Sequence, residues 1–157
     1  MNTGLSVQTQ PGQPVVDFVR EFDAPAAAVY AAHADPDRYA RWSAPGAYET
    51  RIDEWDHRSG GSYRFAHTDG SAQYLFRGAI HTARPGELII QTFEWEGSPD
   101  DVSLDILRFE DLPGGRSRII GRGVFASLES LQAMFEDGMT GGMESGYRKL
   151  DALLAEG

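Results

Sequence analysis

Hydrophobic and polar residues alternate along much of the chain between residues 48 and 126. Six runs rich in β-branched and aromatic residues fall in this region, and short clusters of Gly, Pro, Asp and Ser separate them. Connections this short join strands that pair with their neighbours as antiparallel hairpins. The pattern therefore predicts strands near residues 48–56, 61–68, 72–84, 87–96, 101–111 and 117–126.

The flanking segments predict one further strand and several helices. An apolar run over residues 15–22 is typical of a strand, and Asp23 followed by Pro25 predicts the start of a helix over residues 26–34. The pair Asp35-Pro36 repeats this signal for a second short helix that ends near Trp42. A short amphipathic helix capped by Ser127 follows the last strand and ends at a glycine, and a long helix over residues 140–156 completes the chain.

This order of elements predicts an α+β fold of the helix-grip type. A curved antiparallel sheet of six to seven strands needs a cover on one face, and only the C-terminal helix is long and apolar enough to provide it. If the sheet curves around that helix, a cavity opens between the two layers. We expect one domain over residues 14–157, preceded by a flexible polar tail over residues 1–13.

Alternation within the strands indicates which side chains share a face. Tyr63, Phe65 and His67 fall on one face of their strand, as Tyr74 and Phe76 do on the next. The charged strand residues Arg77 and Asp105 are expected on the solvent face, and His81 likewise points outward in this phase.

Composition and charge narrow the range of partners and cellular locations that we expect for this protein. The chain of 157 residues has a net charge of −10, which argues against nucleic acid or an anionic membrane surface as a partner. It contains no cysteine, no apolar run long enough to span a membrane and no signal peptide, so we expect a cytoplasmic protein. The four histidines are not spaced as metal ligands, and we expect neither a metal nor a cofactor.

A small hydrophobic molecule is the expected partner, and a homodimer is left open. The residues expected to line the cavity are aromatic residues, methionines and one histidine that fall on the inner faces. They are Trp42, Tyr63, Phe65, His67, Tyr74, Phe76, Phe93, Trp95, Met134, Phe135, Met139, Met143 and Tyr147.

Several ordered motifs resemble those of a known family. They are the turn from Phe22 to Pro25, Trp42, the Gly60-Gly61 turn with the strand after it, and Gly142-Met143 in the last helix. This set resembles the START-like helix-grip superfamily (SRPBCC), and within it the branch of activator of heat-shock-90 ATPase homologues. The resemblance implies the helix-grip fold and a ligand cavity. The eukaryotic namesake stimulates a chaperone ATPase with the help of an additional domain, which we do not expect in this chain.

Three functions follow from this resemblance. The first is binding of an apolar or aromatic molecule between the sheet and the C-terminal helix. An alternative is a cyclase-like or hydrolase-like enzyme acting on a polyketide-like or aromatic substrate, with His67 as its acid–base candidate, although we recognise no catalytic motif. The third is an interaction module that regulates a chaperone ATPase, which predicts a broad exposed apolar patch.

Overall fold

The computed structural model describes residues 4–157. Within these residues, eight strands form one antiparallel sheet in the order β1-β2-β8-β7-β6-β5-β4-β3. The strands are β1 (Ser6–Thr9), β2 (Val15–Phe22), β3 (Glu49–Asp56), β4 (Ser62–Thr68), β5 (Gln73–Arg84), β6 (Leu88–Trp95), β7 (Ser103–Leu112) and β8 (Arg116–Val124). The helices are α1 (Ala26–Ala34), α2 (Pro36–Trp42), α3 (Leu128–Glu136) and α4 (Met139–Ala155).

The predicted α+β helix-grip fold is confirmed. Each of the six strands expected between residues 48 and 126 is present, with ends within two residues of the prediction. The sheet is curved and open, and the long C-terminal helix α4 packs on its concave face. Leu150 of α4 is fully buried in the core formed with Phe22 and Ile119 of the sheet.

At residues 6–9 the structure differs from the predicted flexible tail. This segment forms the edge strand β1, and Val7 pairs with Phe18 of β2. Leu5 and Val7 also pack against the main core, and the backbone N–H of Leu5 donates to the Glu144 carboxylate of α4 at 3.1 Å. The segment is held mainly by backbone pairing, which its polar composition does not reveal.

The start of α1 differs from the predicted Asp23 cap. Pro25 occupies the N-cap position, and the backbone N–H of Ala26 donates to the Asp111 carboxylate at 2.9 Å. Asp23 instead accepts a hydrogen bond from Arg116 at 2.8 Å. The carboxylate of Asp111, which is remote in sequence, therefore accepts the hydrogen bond at the start of α1 in place of Asp23.

The other predicted helix boundaries are confirmed. Asp35 caps α2 by accepting from the backbone N–H groups of Asp37 and Arg38. Ser127 caps α3 by accepting from the N–H of Ser130. Gly138 separates α3 from α4 with a φ of 86°, a left-handed conformation that glycine adopts at little cost.

Candidate functional site

A cleft lies between the concave face of the sheet and the junction of α3 with α4. It consists of two adjoining hollows of about 450 and 370 Å³. Six residues line both hollows and so join them into one surface. They are Pro45, His67, Phe76, Phe93, Met134 and Asp137.

The inner half of the cleft is walled by α2, α4 and the middle of β4. Trp42 and Tyr147 stack there with ring centroids 5.9 Å apart, and Tyr39 meets Phe65 edge to face at 5.4 Å. The indole N–H of Trp42 donates to the backbone carbonyl of Ala32 at 2.8 Å, which fixes the ring. These rings form a rigid apolar wall.

The mouth of the cleft is also aromatic but is open to solvent. Tyr74 and Trp95 keep 40% and 41% of their surface exposed, and their ring centroids are 6.4 Å apart. Tyr48, in the loop between α2 and β3, contacts Tyr74 at 5.8 Å. Covering exposed rings of this size with an apolar molecule is favourable, because it removes apolar surface from water.

Strand register builds the floor of the cleft. Phe65 of β4 pairs directly with Phe76 of β5, and the two rings stack at 5.3 Å. Phe76 in turn stacks on Phe93 of β6 at 5.2 Å. The result is a continuous row of aromatic rings across three strands, as expected for cross-strand neighbours on one face.

His67 supplies a polar atom within this apolar floor. Its ring lies 5.2 Å from that of Phe65 and 5.0 Å from that of Phe76, which confirms the inward face predicted for it. Burial, followed by the charge of Lys149, lowers the pKa of His67 to about 4, so the ring is neutral at pH 7. Its Nε2 is buried and has no hydrogen-bond partner among residues 4–157.

The prediction that Asp105 faces solvent is wrong. Strand β7 pairs with β6 and β8 without a register break, so Ser103, Asp105, Leu107 and Phe109 share one face. Ser103 and Phe109 are buried, whereas Leu104 on the opposite face is 37% exposed. The register is therefore set by the burial of Phe109 and Leu107, and Asp105 is carried inward with them.

The inward position changes the chemistry of the Asp105 carboxyl group. The residue keeps part of its surface accessible but is surrounded by protein, and this burial raises its pKa to about 7. Among residues 4–157, no side chain or backbone group forms a hydrogen bond or ion pair with it. The concave face thus carries an acid that is partly ionised at neutral pH.

Most residues predicted to line the cavity surround this cleft, and two do not. Tyr63 is buried behind it and donates from its hydroxyl to the backbone carbonyl of Thr92 at 2.6 Å. Phe135 is half-buried on α3 and lines neither hollow. Those that line the cleft are Trp42, Phe65, His67, Tyr74, Phe76, Phe93, Trp95, Met134, Met139, Met143 and Tyr147.

Sequence reasoning missed several other residues of the cleft wall, and four of them show why. Tyr39 lies on α2, where its position one turn before Trp42 could have indicated an inward ring. Pro45 and Tyr48 lie in the irregular loop after α2, and no periodicity predicts their orientation. Asp137 lies between α3 and α4, where the turn geometry decides its direction.

The sheet, its terminal helix and the cleft between them define a helix-grip protein. The chain belongs to the family described as "Activator of Hsp90 ATPase homolog 1-like protein", whose sequence profile matches residues 23–155. Among curated proteins, none matches the chain significantly. Within residues 4–157, no helix combines the length and the apolar character needed to cross a membrane.

Solved structures from bacteria share this fold. A protein from Rhodobacter sphaeroides has a TM-score of 0.88 at 22% identity, over 98% of this chain and 99% of its own. A protein from Arthrobacter aurescens also has a TM-score of 0.88, at 25% identity over 99% and 94% of the two chains. An AHSA1-like protein from Aeromonas hydrophila has a TM-score of 0.67 at 25% identity, over 87% and 93%.

Proposed function

We propose that this protein binds an apolar or aromatic small molecule in the cleft between the sheet and the α3–α4 junction. The single observation that supports this most is the aromatic row Phe65, Phe76 and Phe93, which ends at the half-exposed ring of Trp95. A ligand that buried about 200 Å² of apolar surface there would gain about 5 kcal/mol before the costs of association. Because association itself costs several kcal/mol, a ligand that binds in the micromolar range has to bury more surface than this or add polar contacts.

The flexible side chains at the α3–α4 junction also support a binding role. Met134, Met139 and Met143 approach the cleft from the helical side, opposite the aromatic floor. Methionine adapts its shape to its neighbours, so this wall can fit ligands of different outline. A rigid floor opposite an adaptable wall suits a protein that accepts a class of related molecules.

Calorimetric titration with 1-naphthalenemethanol, a neutral aromatic probe, tests the proposal. We expect saturable binding that weakens severalfold in Trp95→Ala, because this variant removes an exposed ring from the cleft mouth. Leu104→Ala is the matched control, because Leu104 is similarly exposed but lies on the outer face of the sheet. Equal binding by both variants and the parent protein, or no heat of binding at all, would contradict the proposal.

An acid–base enzyme on the same scaffold is the second candidate, and one observation favours it. His67 and Asp105 lie on the concave face with pKa values shifted in opposite directions, to about 4 and about 7. Groups separated in this way can act as base and acid. Turnover of an aromatic ester or polyketide-like substrate that disappears in both His67→Asn and Asp105→Asn would support catalysis.

The remaining predictions concern the chaperone and the cellular location. If the protein regulated a chaperone through its surface, we would expect a broad exposed apolar patch. Two of the large exposed apolar side chains, Tyr74 and Trp95, instead belong to the cleft mouth. Binding of the cleft probe without any effect on a chaperone ATPase would favour the ligand-binding role. The cytoplasmic location stays a prediction.

A further inference from the structure

His67 lies where the two hollows of the cleft meet, and it lines both of them. Its cross-strand neighbours are Thr50 on β3 and Tyr74 on β5. The hydroxyl group of Thr50 already pairs with that of Ser43 at 2.8 Å. Among residues 4–157, neither ring nitrogen of His67 has a hydrogen-bond partner.

A ligand that fills the cleft has to satisfy this imidazole ring. The Nε2 atom of His67 is enclosed by its neighbours, whereas Nδ1 is not. The rings of Phe65 and Phe76 lie 5.2 and 5.0 Å from that of His67, and neither carries a polar group. A ligand that displaced water from Nδ1 without replacing its hydrogen bond would lose about 1–3 kcal/mol. The cleft therefore favours a ligand that brings its own hydrogen-bonding group to His67.

The charges around the cleft favour a neutral group at this point. Among the described lining residues, the charged one is Asp137, whose carboxylate repels an anionic ligand. The ammonium group of Lys149, held by the carbonyls of Ala44 and Gly46 at 2.6 and 2.7 Å, acts on His67 in the opposite sense. Its charge adds to the burial that lowers the pKa of His67, and it disfavours a cationic ligand at the ring in the same way.

A hydroxyl group is the neutral group that suits both tautomers of the imidazole ring. In one neutral tautomer Nδ1 carries the proton and donates, and in the other it accepts. No hydrogen bond among residues 4–157 fixes this choice for His67. A hydroxyl oxygen can donate and accept, whereas a carbonyl oxygen can only accept.

The spacing of the rings limits how far the hydroxyl group stands from the ligand's aromatic body. Aromatic rings in contact have centroids about 4.5–7 Å apart. The His67 ring is already 5.0 Å from that of Phe76, so an aromatic body stacked on Phe76 lies beside the imidazole. Its hydroxyl group would then reach His67 from the aromatic ring itself or from the adjoining carbon.

We propose that the ligand is a neutral phenol or aromatic alcohol whose hydroxyl group hydrogen-bonds to Nδ1 of His67, while its ring lies on Phe76 and Phe93. This inference rests on the proposed binding function and names its ligand class. The aromatic floor binds any flat apolar body, and His67 selects among bodies of the same shape. A site that pairs with a hydroxyl group rejects the analogue that lacks it, because the polar group of the protein is then left unpaired.

Two probes that differ at this group test the inference: 1-naphthalenemethanol and 1-methylnaphthalene, each measured by equilibrium dialysis at pH 7. The quantity to compare is the ratio of their dissociation constants, because the hydrocarbon gains more from leaving water in every variant. We expect His67→Phe to shift this ratio about fivefold against the alcohol, through the loss of one hydrogen bond. His67→Asn should keep most of the preference, because its amide donates and accepts close to the position of Nδ1.

A control variant and a spectroscopic measurement accompany the dialysis. His81→Phe makes the same replacement at an exposed site on β5 and should leave the ratio unchanged. Nitrogen-15 NMR of the parent protein requires no variant to fold. We expect the Nδ1 resonance of His67 to shift when the alcohol binds and to stay near its position when the hydrocarbon binds.

The outcomes separate the two proposals. If His67→Phe leaves the ratio within twofold of the parent value, or if both probes move the Nδ1 resonance equally, the hydroxyl inference is overturned while the binding function stands. If His81→Phe shifts the ratio as far as His67→Phe does, the direct role of His67 is refuted. If neither probe binds, both proposals fail.

Discussion

The guanidinium group of Arg20 on β2 forms two hydrogen bonds to the Asp151 carboxylate on α4, at 2.9 and 2.8 Å. The Arg20 side chain is only 2% exposed, and its charge also lies 4.9 Å from the centroid of the Phe22 ring. This pair ties the C-terminal helix to the strand on which it packs. Since the cleft exists only while α4 stays in place, the pair also supports the candidate site.

Arg20→Ala is expected to destabilise the fold by about 3 kcal/mol. This lies at the lower end of the range for removing one partner of a buried ion pair, because the Asp151 side chain keeps 30% exposure and can be hydrated. Urea unfolding followed by circular dichroism measures the change. Arg122→Ala is the control: its pair with Asp17 is exposed and is expected to contribute less than about 1 kcal/mol. Similar losses in both variants would contradict a special role for Arg20.

Two glycine-to-alanine substitutions should change the stability of the fold in opposite directions. A Cβ atom at Gly78 would lie 2.1 Å from the carbonyl oxygen of Thr92 and 2.5 Å from the hydroxyl of Tyr63, so Gly78→Ala should destabilise by about 2 kcal/mol or more. Gly141 in α4 has nothing within 4 Å of the same position, so Gly141→Ala should stabilise by up to about 1 kcal/mol. Thermal unfolding of the two variants checks both signs. A Gly78→Ala protein as stable as the parent would contradict this prediction, because the nearest clash is with a backbone oxygen that no side-chain movement relieves.

Asp105→Asn should change how stability depends on pH. Between its ordinary pKa of 3.8 and its folded pKa of about 7, the native carboxyl group holds a proton that the unfolded chain has released. This group therefore lowers stability as the pH rises through that window, by at most about 1.4 kcal/mol per pH unit. The difference in unfolding free energy between variant and parent should grow in favour of Asn from pH 4 to 7 and then level off. A constant difference across this range would disprove the inward, unpaired carboxyl.

For His67→Asn, we expect the free energy of unfolding to depend on pH in the opposite direction. Because the folded pKa of His67 is about 4 and its ordinary value is 6.5, the unfolded chain binds the extra proton between these values. The histidine thus lowers stability as the pH falls from about 6.5 to 4. The Asn variant should lose less stability than the parent in this range. Proton NMR of the His67 ring gives an independent check, and a measured pKa near 6.5 would refute the buried, neutral state.

The sheet could be predicted because its signals are local. The run from Tyr63 to His67 alternates cleanly, and Gly60 and Gly61 mark the turn before it, so both the strand and its inner face follow from the sequence. The orientation of Asp105 was predicted wrongly because its neighbours Leu104 and Ile106 are apolar, and their side chains point to the opposite face of the strand. Only pairing with β6 and β8 decides between the two faces, and that information is not local.

The parts of the site outside regular elements were beyond sequence reasoning. Pro45 and Tyr48 enter the cleft wall through a loop that is hydrogen-bonded to Ser145 and Lys149 of α4. Val7 joins the sheet in a segment whose polar residues gave no strand signal, because the hydrogen bonds of an edge strand are independent of its side chains. Prediction was thus sound for periodic segments and failed where tertiary contacts decide the outcome.

The two hydrogen bonds of Lys149 have a practical consequence, since it is the chain's single lysine. Its ammonium group is held by the carbonyls of Ala44 and Gly46, next to the loop that carries Pro45 into the cleft. An amine-reactive dye has one lysine to acylate within the chain, Lys149. The rate of acylation depends on how often the two hydrogen bonds of its ammonium group break. The labelling rate of this one side chain therefore measures the local stability of the segment between α2 and β3.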